Sequence, residues 1–324
     1  MPQEITFPLV LAWAVPFFVL TLVLEWVFVA RGRLQGRYEW RDALTSMTMG
    51  LGNLISDLAM GFISLGVLLW FWQFRLIDLG VSVPIIILAL IAQDFVYYWK
   101  HRAAHRVRWL WSAHVVHHSS EHYNLSTALR QPWNNHFTGH VLLSTPLIFV
   151  GFHPLLIGFV ASLNLLYQYW IHTEAIRKMP RWFEAVMNTP SHHRVHHSTH
   201  PTHLDRNYAG IFIVWDKLFG TFREEADDSP AADPMRYGLV KNIGTFNPVR
   251  VAFAEMLAVL RDVVRPGLSV RQRFGVAFAP PGYGPDGAHN RSEDILARYL
   301  ANASADPGEE GALHSVETAR TSDA

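Results

Sequence analysis

Three stretches in the first part of the chain, residues 7–30, 45–74 and 83–99, are almost wholly apolar. Each reaches the length, about 17 residues or more, that a helix needs to cross a bilayer. The first is interrupted only by Pro16 and Glu25. It lacks a leading positive cluster and is too long for a secretion signal, so it is expected to remain as an anchor. Arg31, Arg33, Arg37 and Arg41 follow it, which places that loop in the cytoplasm by the positive-inside rule. The second stretch is rich in glycine and small residues, which let helices approach closely. Asp57 within it is costly in lipid and is expected to face the bundle interior or an interface. The third returns to the cytoplasmic side and ends among Tyr97, Tyr98 and Trp99, aromatics suited to the membrane–water boundary.

Two shorter apolar runs, 140–152 and 154–170, flank the helix-interrupting His153-Pro154 pair. They predict a hairpin over about 137–171 that dips into or just crosses the bilayer and returns His172 to the face already reached. Pro180 and Pro190 bracket a further expected helix. Residues 207–222 are apolar but too short to span, and are expected against the membrane face or the site. Residues 247–264 have helical periodicity with a polar face, as a surface helix or one lying on the membrane. A short helix near 292–300 and a disordered tail over 303–324 complete the chain. The expected fold class is all-α, an integral membrane helical bundle. Its parts are transmembrane helices over 1–99, a histidine-rich region over 100–222 and a peripheral cytoplasmic region over 223–302.

Composition narrows the function. With 50% hydrophobic and 17% charged residues, the 324 residues are too apolar for two soluble domains. The formal net charge is zero and no basic stripe is interleaved with stacking aromatics, so nucleic acid is not an expected partner. No cysteine is present, which excludes disulfides and thiolate metal sites.

Candidate chemistry lies in KHRAAHRVRWLWSAHVVHH over 100–118 and HHRVHH over 192–197. His101 and His105 are four apart; His114, His117 and His118 share a three-or-four spacing that His193, His196 and His197 repeat. On helices each set projects from one face. With His192 and His172, ten of the 18 histidines are accounted for. Neutral imidazole is the commonest protein metal ligand. Two metals with about four ligands each need about eight, and the boxes supply that number, with His172 a ninth candidate.

Imidazole alone does not choose among zinc, iron, copper and nickel. There is no HExxH motif and no glutamate inside a box, so a zinc hydrolase would lack an evident base. A metal transporter would carry its ligands mid-span, whereas these stand at the ends of spans. Both stay as alternatives. An all-imidazole pair of metals beside apolar helices fits activation of oxygen and attack on an unactivated lipid C–H bond. Glu121, Asn124, Thr127, Arg130, Glu174, Asn207 and Tyr208 are candidates to orient ligands or a headgroup, and Asp205 is the strongest of this kind. Trp215 and Phe219 read as packing.

The order HRAAH, HVVHH and HHRVHH beside membrane spans resembles the fatty acid hydroxylase and sterol desaturase superfamily of membrane di-iron enzymes. Within it, HHSSEHYNLSTALRQ, NLLYQYWIHTE, NTPSHHRVHH and NYAGIFIVWDKLFGTF are similar to the alkylglycerol monooxygenase branch. The resemblance covers about 94–222. It implies that His101, His105, His114, His117, His118, His172, His193, His196 and His197 ligate two irons, with His192 as neighbour or alternate ligand. It also implies oxygen-dependent hydroxylation of an ether lipid, fatty acid or sterol, with electrons from tetrahydrobiopterin or a separate reductase. Arg106 stands where that branch carries an acidic residue, which leaves pterin use open. The excess of arginine over lysine fits a GC-rich bacterial genome, hence an inner membrane with the boxes on its cytoplasmic side.

Overall fold

The computed structural model describes residues 6–8, 10–226 and 235–305. Among the described residues, three helices are long and apolar enough to cross a membrane: α1 (Val10–Ala30), α2 (Trp40–Trp72) and α3 (Val83–Arg106). α2 starts where the Glu39 carboxylate accepts from the Asp42 amide, satisfying one of the free N–H groups of its first turn. α3 runs well past Trp99, where the interface aromatics predicted its end. The segment HRAAH contains no glycine or proline and two alanines, so nothing stops the helix before Arg106. A single extended residue, Val107, then turns the chain into α4 (Arg108–His118).

Short helices occupy the stretch where the hairpin is expected. After 3-10 turns at Asn135–Thr138 and His140–Ser144 come α5 (Thr145–Val150) and α6 (Pro154–Trp170). Gly151 makes the reversal at φ 122°, and a Cβ there would stand 2.5 Å from the Ile77 carbonyl oxygen. Only glycine allows both the dihedral and the approach. Ala89 of α3 packs against Leu147, Ile148, Leu156 and Val160 of the hairpin in one buried apolar cluster.

Pro180 and Pro190 bracket only one helical turn, α7 (Arg181–Glu184). The chain after it pairs instead with a distant segment: Asn188 N–H donates to the Ile211 carbonyl and Ile213 N–H to that of Val186. These tertiary bonds outcompete continuation of the helix. Pro190 opens α8 (Pro190–His197), which carries the last histidine box. Then come α9 (Val214–Leu218), α10 (Pro248–Val263), α11 (Val270–Phe278) and α12 (Ser292–Ala305). Among the described residues there is no strand, only isolated bridges at Met187–Phe212 and Ser198–Tyr237.

α10 packs Val251 and Ala252 against Val116 of α4 and Met49 of α2, so the C-terminal region docks on the helix of the second box. Residues 303–305 belong to α12; the rest of the expected tail, and residues 227–234, lie outside the described residues.

Candidate metal centre

Nine histidines converge from four places in the chain. His101, His105, His114, His118 and His196 form one group; His117, His172, His193 and His197 form the other. Within each group, one nitrogen per ring lies within 4.8 Å of all the others. Helical spacing explains the sorting. On α4, His114 and His118 stand four apart and serve the first group, while His117 points to the second; on α8, His193 and His197 serve the second and His196 the first. The long α3 adds His101 and His105, and His172 arrives two residues after α6.

Several Nε2 atoms face one another at short range. The separations are 2.9 Å for His101–His114, 3.1 Å for His114–His118, 3.1 Å for His118–His196, 3.1 Å for His117–His172 and 3.0 Å for His172–His193. An imidazole nitrogen sits about 2.0–2.1 Å from a first-row ion, so two nitrogens at right angles around one ion are about 2.9 Å apart. The observed distances are those of neighbouring corners of one coordination shell. His105 Nε2 and His197 Nε2 are also buried without any hydrogen-bond partner. An inward lone pair without a donor is costly unless it meets a cation. The donor set, with no carboxylate in either group, fits a borderline first-row metal.

The outer nitrogens fix the rings. His101 Nδ1 donates to the Tyr208 carbonyl at 2.7 Å, His196 Nδ1 to that of Arg206 at 2.8 Å, and His105 Nδ1 lies 3.3 Å from an Asp205 carboxylate oxygen. In the second group, His172 Nδ1 donates to Gln168 O at 2.7 Å and His117 Nδ1 lies 3.3 Å from Arg130 O. A proton held on Nδ1 leaves the Nε2 lone pair free for a metal.

One short segment thus orients three rings. Asp205 and Asn207 have φ of 58° and 55°, a left-handed conformation that Asp and Asn tolerate better than most residues. Buried Asn207 is anchored by Nδ2 bonds to His192 O at 2.9 Å and Arg223 O at 2.7 Å. Asp216 accepts from Tyr208 N–H and Ala209 N–H, both at 2.8 Å. Burial pushes the Asp216 carboxyl up to about 6 against these bonds. Asp205 goes the other way: burial would raise it, but His105 and Arg106 hold it down at about 2. It stays ionised and bonds Arg106 at 2.8 Å; Arg106 also reaches Glu293 of α12.

Burial drives seven of these imidazoles toward the neutral form. His114, His117, His118, His193, His196 and His197 all lie well below the usual histidine range, and His172 falls to about 3. Desolvation is the main cause, with neighbouring rings adding to it. Neutral imidazole is the form that ligates.

The other sequence candidates fall elsewhere. His192 is outside both groups, its ring edge-on to Phe222. Asn124 caps the 3-10 turn Leu125–Leu129 in a reciprocal arrangement with Thr127 and bonds Arg37 O. Arg130 is buried and paired with Asp42 at 2.8 Å, and its carbonyl faces His117. Glu121 is exposed, and Glu174 accepts from Tyr237, whose ring stacks on Tyr123 beside His197. Trp215 donates to Asp94 and Phe219 stacks on Tyr98, so both pack the wall.

Sequence reasoning passed over Asp94 and Asp216. Buried Asp94 accepts from the Ile211 and Phe212 amides, Trp215 Nε1 and Asn164 Nδ2, tying α3 and α6 to the segment beyond Tyr208. A carboxylate near the foot of a membrane-length helix, three residues before the interface aromatics that begin at Tyr97, was the available signal.

Residues 86–221 match the fatty acid hydroxylase family model, and all nine histidines fall inside that match. Among named relatives, it is 39% identical to alkylglycerol monooxygenase of Homo sapiens over 277 residues, covering 84% of this chain and 59% of that protein. It is 39% identical to alkylglycerol monooxygenase of Danio rerio over 242 residues, 74% of this chain and 52% of that one. It is 25% identical to cholesterol 25-hydroxylase of Homo sapiens over 230 residues, 65% and 79% of the two chains. The chain spans less than two thirds of the length of the alkylglycerol monooxygenases it matches. No solved structure matches it.

Proposed function

We propose that this protein is an integral membrane monooxygenase that hydroxylates a lipid carbon with O2, and that its first choice of carbon is one beside an alkyl ether oxygen. The observation that carries the reading is the pair of all-imidazole groups, five and four rings, one of which takes two of its rings from the last turns of membrane-length α3. The similarity to alkylglycerol monooxygenases supports the ether carbon. Two iron ions held by the nine histidines would supply the oxygen chemistry, drawing two electrons from a reduced pterin or a separate reductase.

The chain's own residues do the rest. Carbonyls of Arg130, Gln168, Arg206 and Tyr208 hold imidazole protons on the outside of the centre. Asp205 holds His105 in the same way through a charge. Apolar helices beside the centre bring the lipid chain and keep bulk water away. In the net reaction a C–H bond becomes C–OH, and the second oxygen atom leaves as water with two electrons and two protons from the donor. Beside an ether oxygen the product is a hemiacetal. Its hydroxyl proton passes to the ether oxygen, the C–O bond breaks, and an aldehyde and an alcohol separate.

We place the centre on the cytoplasmic side of a bacterial inner membrane. The arginines at 31, 33, 37 and 41 support that orientation, because they leave α1 at the end where Glu25 meets Thr173, next to His172. The test is to incubate membranes containing the protein with an alkylglycerol, oxygen, and either reduced pterin or a ferredoxin-type reductant. Fatty aldehyde and about two irons per chain are expected, the count following from about four ligands for each metal. Hydroxylated sterol or fatty acid without aldehyde would overturn the ether-lipid assignment; stoichiometric zinc with no oxygen uptake would overturn the oxygenase.

A further inference from the structure

The hairpin of α10 and α11 has more apolar surface than its packing uses. α10 turns Val251, Ala252, Met256 and Val259 into the protein. A second stripe, Val249, Leu257, Leu260 and Val264, lies on another side of the same helix and is exposed, Val264 to 70%. On α11, Val276 and Ala277 are buried while Val270, Phe274 and Phe278 stand out, Val270 to 84%. One apolar face for the fold and another for nothing visible is unusual for a helix bordered by water.

Two observations say what covers it. The first is position. Thr45 Oγ1 of α2 donates to Phe246 O at 2.8 Å, one turn from the exposed Trp40, Leu44 and Met47 of that membrane helix. Phe253 of α10 meets Trp133, whose Nε1 donates to Met49 O of α2. The second stripe therefore continues the lipid-facing wall. The other observation is charge. Residues 248–278 carry five arginines and two acids, Glu255 and Asp262. Both acids contact Arg108 of α4, at 2.8 and 2.9 Å. Arg250, Arg261, Arg265 and Arg271 are exposed, with Arg261 also sharing Asp262 at 3.3 Å. On α10, Arg250 and Arg261 sit beside the second stripe at helical spacing, where headgroups would be.

We propose that the α10–α11 hairpin lies on the membrane surface, its second apolar stripe among the upper lipid chains and its arginines on anionic headgroups. Since α10 also packs on α4, the hairpin fixes the depth at which His114, His117 and His118 stand.

The chain has no cysteine, so single cysteines at the exposed positions Leu260, Phe274 and, as control, Ala297 of α12 can carry a fluorophore in the full protein. In proteoliposomes, lipid with a nitroxide high on its acyl chain should quench labels at 260 and 274 at least about twofold more than at 297, with iodide showing the reverse order. Adding phosphatidylglycerol to neutral vesicles should strengthen lipid quenching at 260 and 274, and the double change Arg261→Gln and Arg271→Gln should flatten that response. Iodide access at 260 and 274 equal to that at 297 would overturn the proposal. Shielding from both quenchers, as a protein partner or second copy would give, would also overturn it. Quenching unaffected by phosphatidylglycerol would overturn the role of the arginines. None of these readouts depends on turnover, so they stand or fall separately from the oxygenase reading.

Discussion

The two histidine groups share α4 and α8 yet are built differently. The group of five receives a helical pair from α3, and three of its rings lean on the single segment 205–208. The group of four has no third helix behind it; His172 alone fills that role, steadied by a carbonyl of its own chain four residues back. The first is redundant in ligands but depends on one loop. The second is sparse in ligands but locally braced. With the same ion in each, the group of four leaves more coordination positions for other species, as catalytic sites require.

That contrast breaks most sharply on ligand deletion. His172→Ala should cost on the order of a thousandfold in turnover, about 4 kcal/mol at the barrier, and about one metal per chain. His105→Ala leaves four imidazoles in its group and should retain more metal. Equal losses by elemental analysis would erase the distinction between the groups. Next in size, Asp205→Ala should weaken metal retention about 10–100-fold in the group of five alone, the range for groups that orient a ligand. Chelator titration should then show one site released early, and uniform weakening of both would count against the loop as a local brace.

Acid should act on both groups before any metal is bound. His114, His117, His118, His172, His193, His196 and His197 are pushed down on folding, so the unfolded chain takes up protons that the folded apo chain refuses. Stability is therefore full above about pH 6.5 and falls as pH drops through the window toward about 3, where His172 titrates. Asp205, held at about 2, stays charged throughout that window. Melting of the metal-free protein in detergent should be markedly lower at pH 5.5 than at pH 8, and an unchanged midpoint would deny that the rings are buried neutral. The smallest effect is expected from Arg106→Gln. Arg106 is a third exposed, so its bonds to Asp205 and Glu293 should contribute about 1 kcal/mol or less, with both metals kept. Loss of metal from the group of five would extend the brace to α12.

The spans and the convergence of the histidines were legible because they rest on periodicity: long apolar runs, and three-or-four spacing that survives folding; their sorting was not, since His117 leaves His114 and His118 for the other group. What periodicity does not encode was harder to read. Tyr97, Tyr98 and Trp99 look like the end of a span, yet α3 continues because no residue after them breaks a helix. The 205–208 segment has no repeating pattern, and its two left-handed residues announce themselves only as an Asp and an Asn near the last box. The helix between Pro180 and Pro190 stops after one turn because the chain beyond it bonds residues 211–213, partners distant in sequence. Amphipathicity predicted α10, but not that one apolar face would meet α4 while another stayed outward.

The unbroken run of α3 has a mechanical side. From Val83 to Arg106 it is a 24-residue rod, about 36 Å long at 1.5 Å per residue, with the bilayer gripping most of it and two imidazoles on its last turns. Helices answer a thinner bilayer by tilting. A tilt of this rod swings His101 and His105 sideways together, while His172 hangs from a different and shorter helix. Membrane thickness is thus geared to the alignment of one histidine group relative to the other, and lipid composition becomes a setting on the centre.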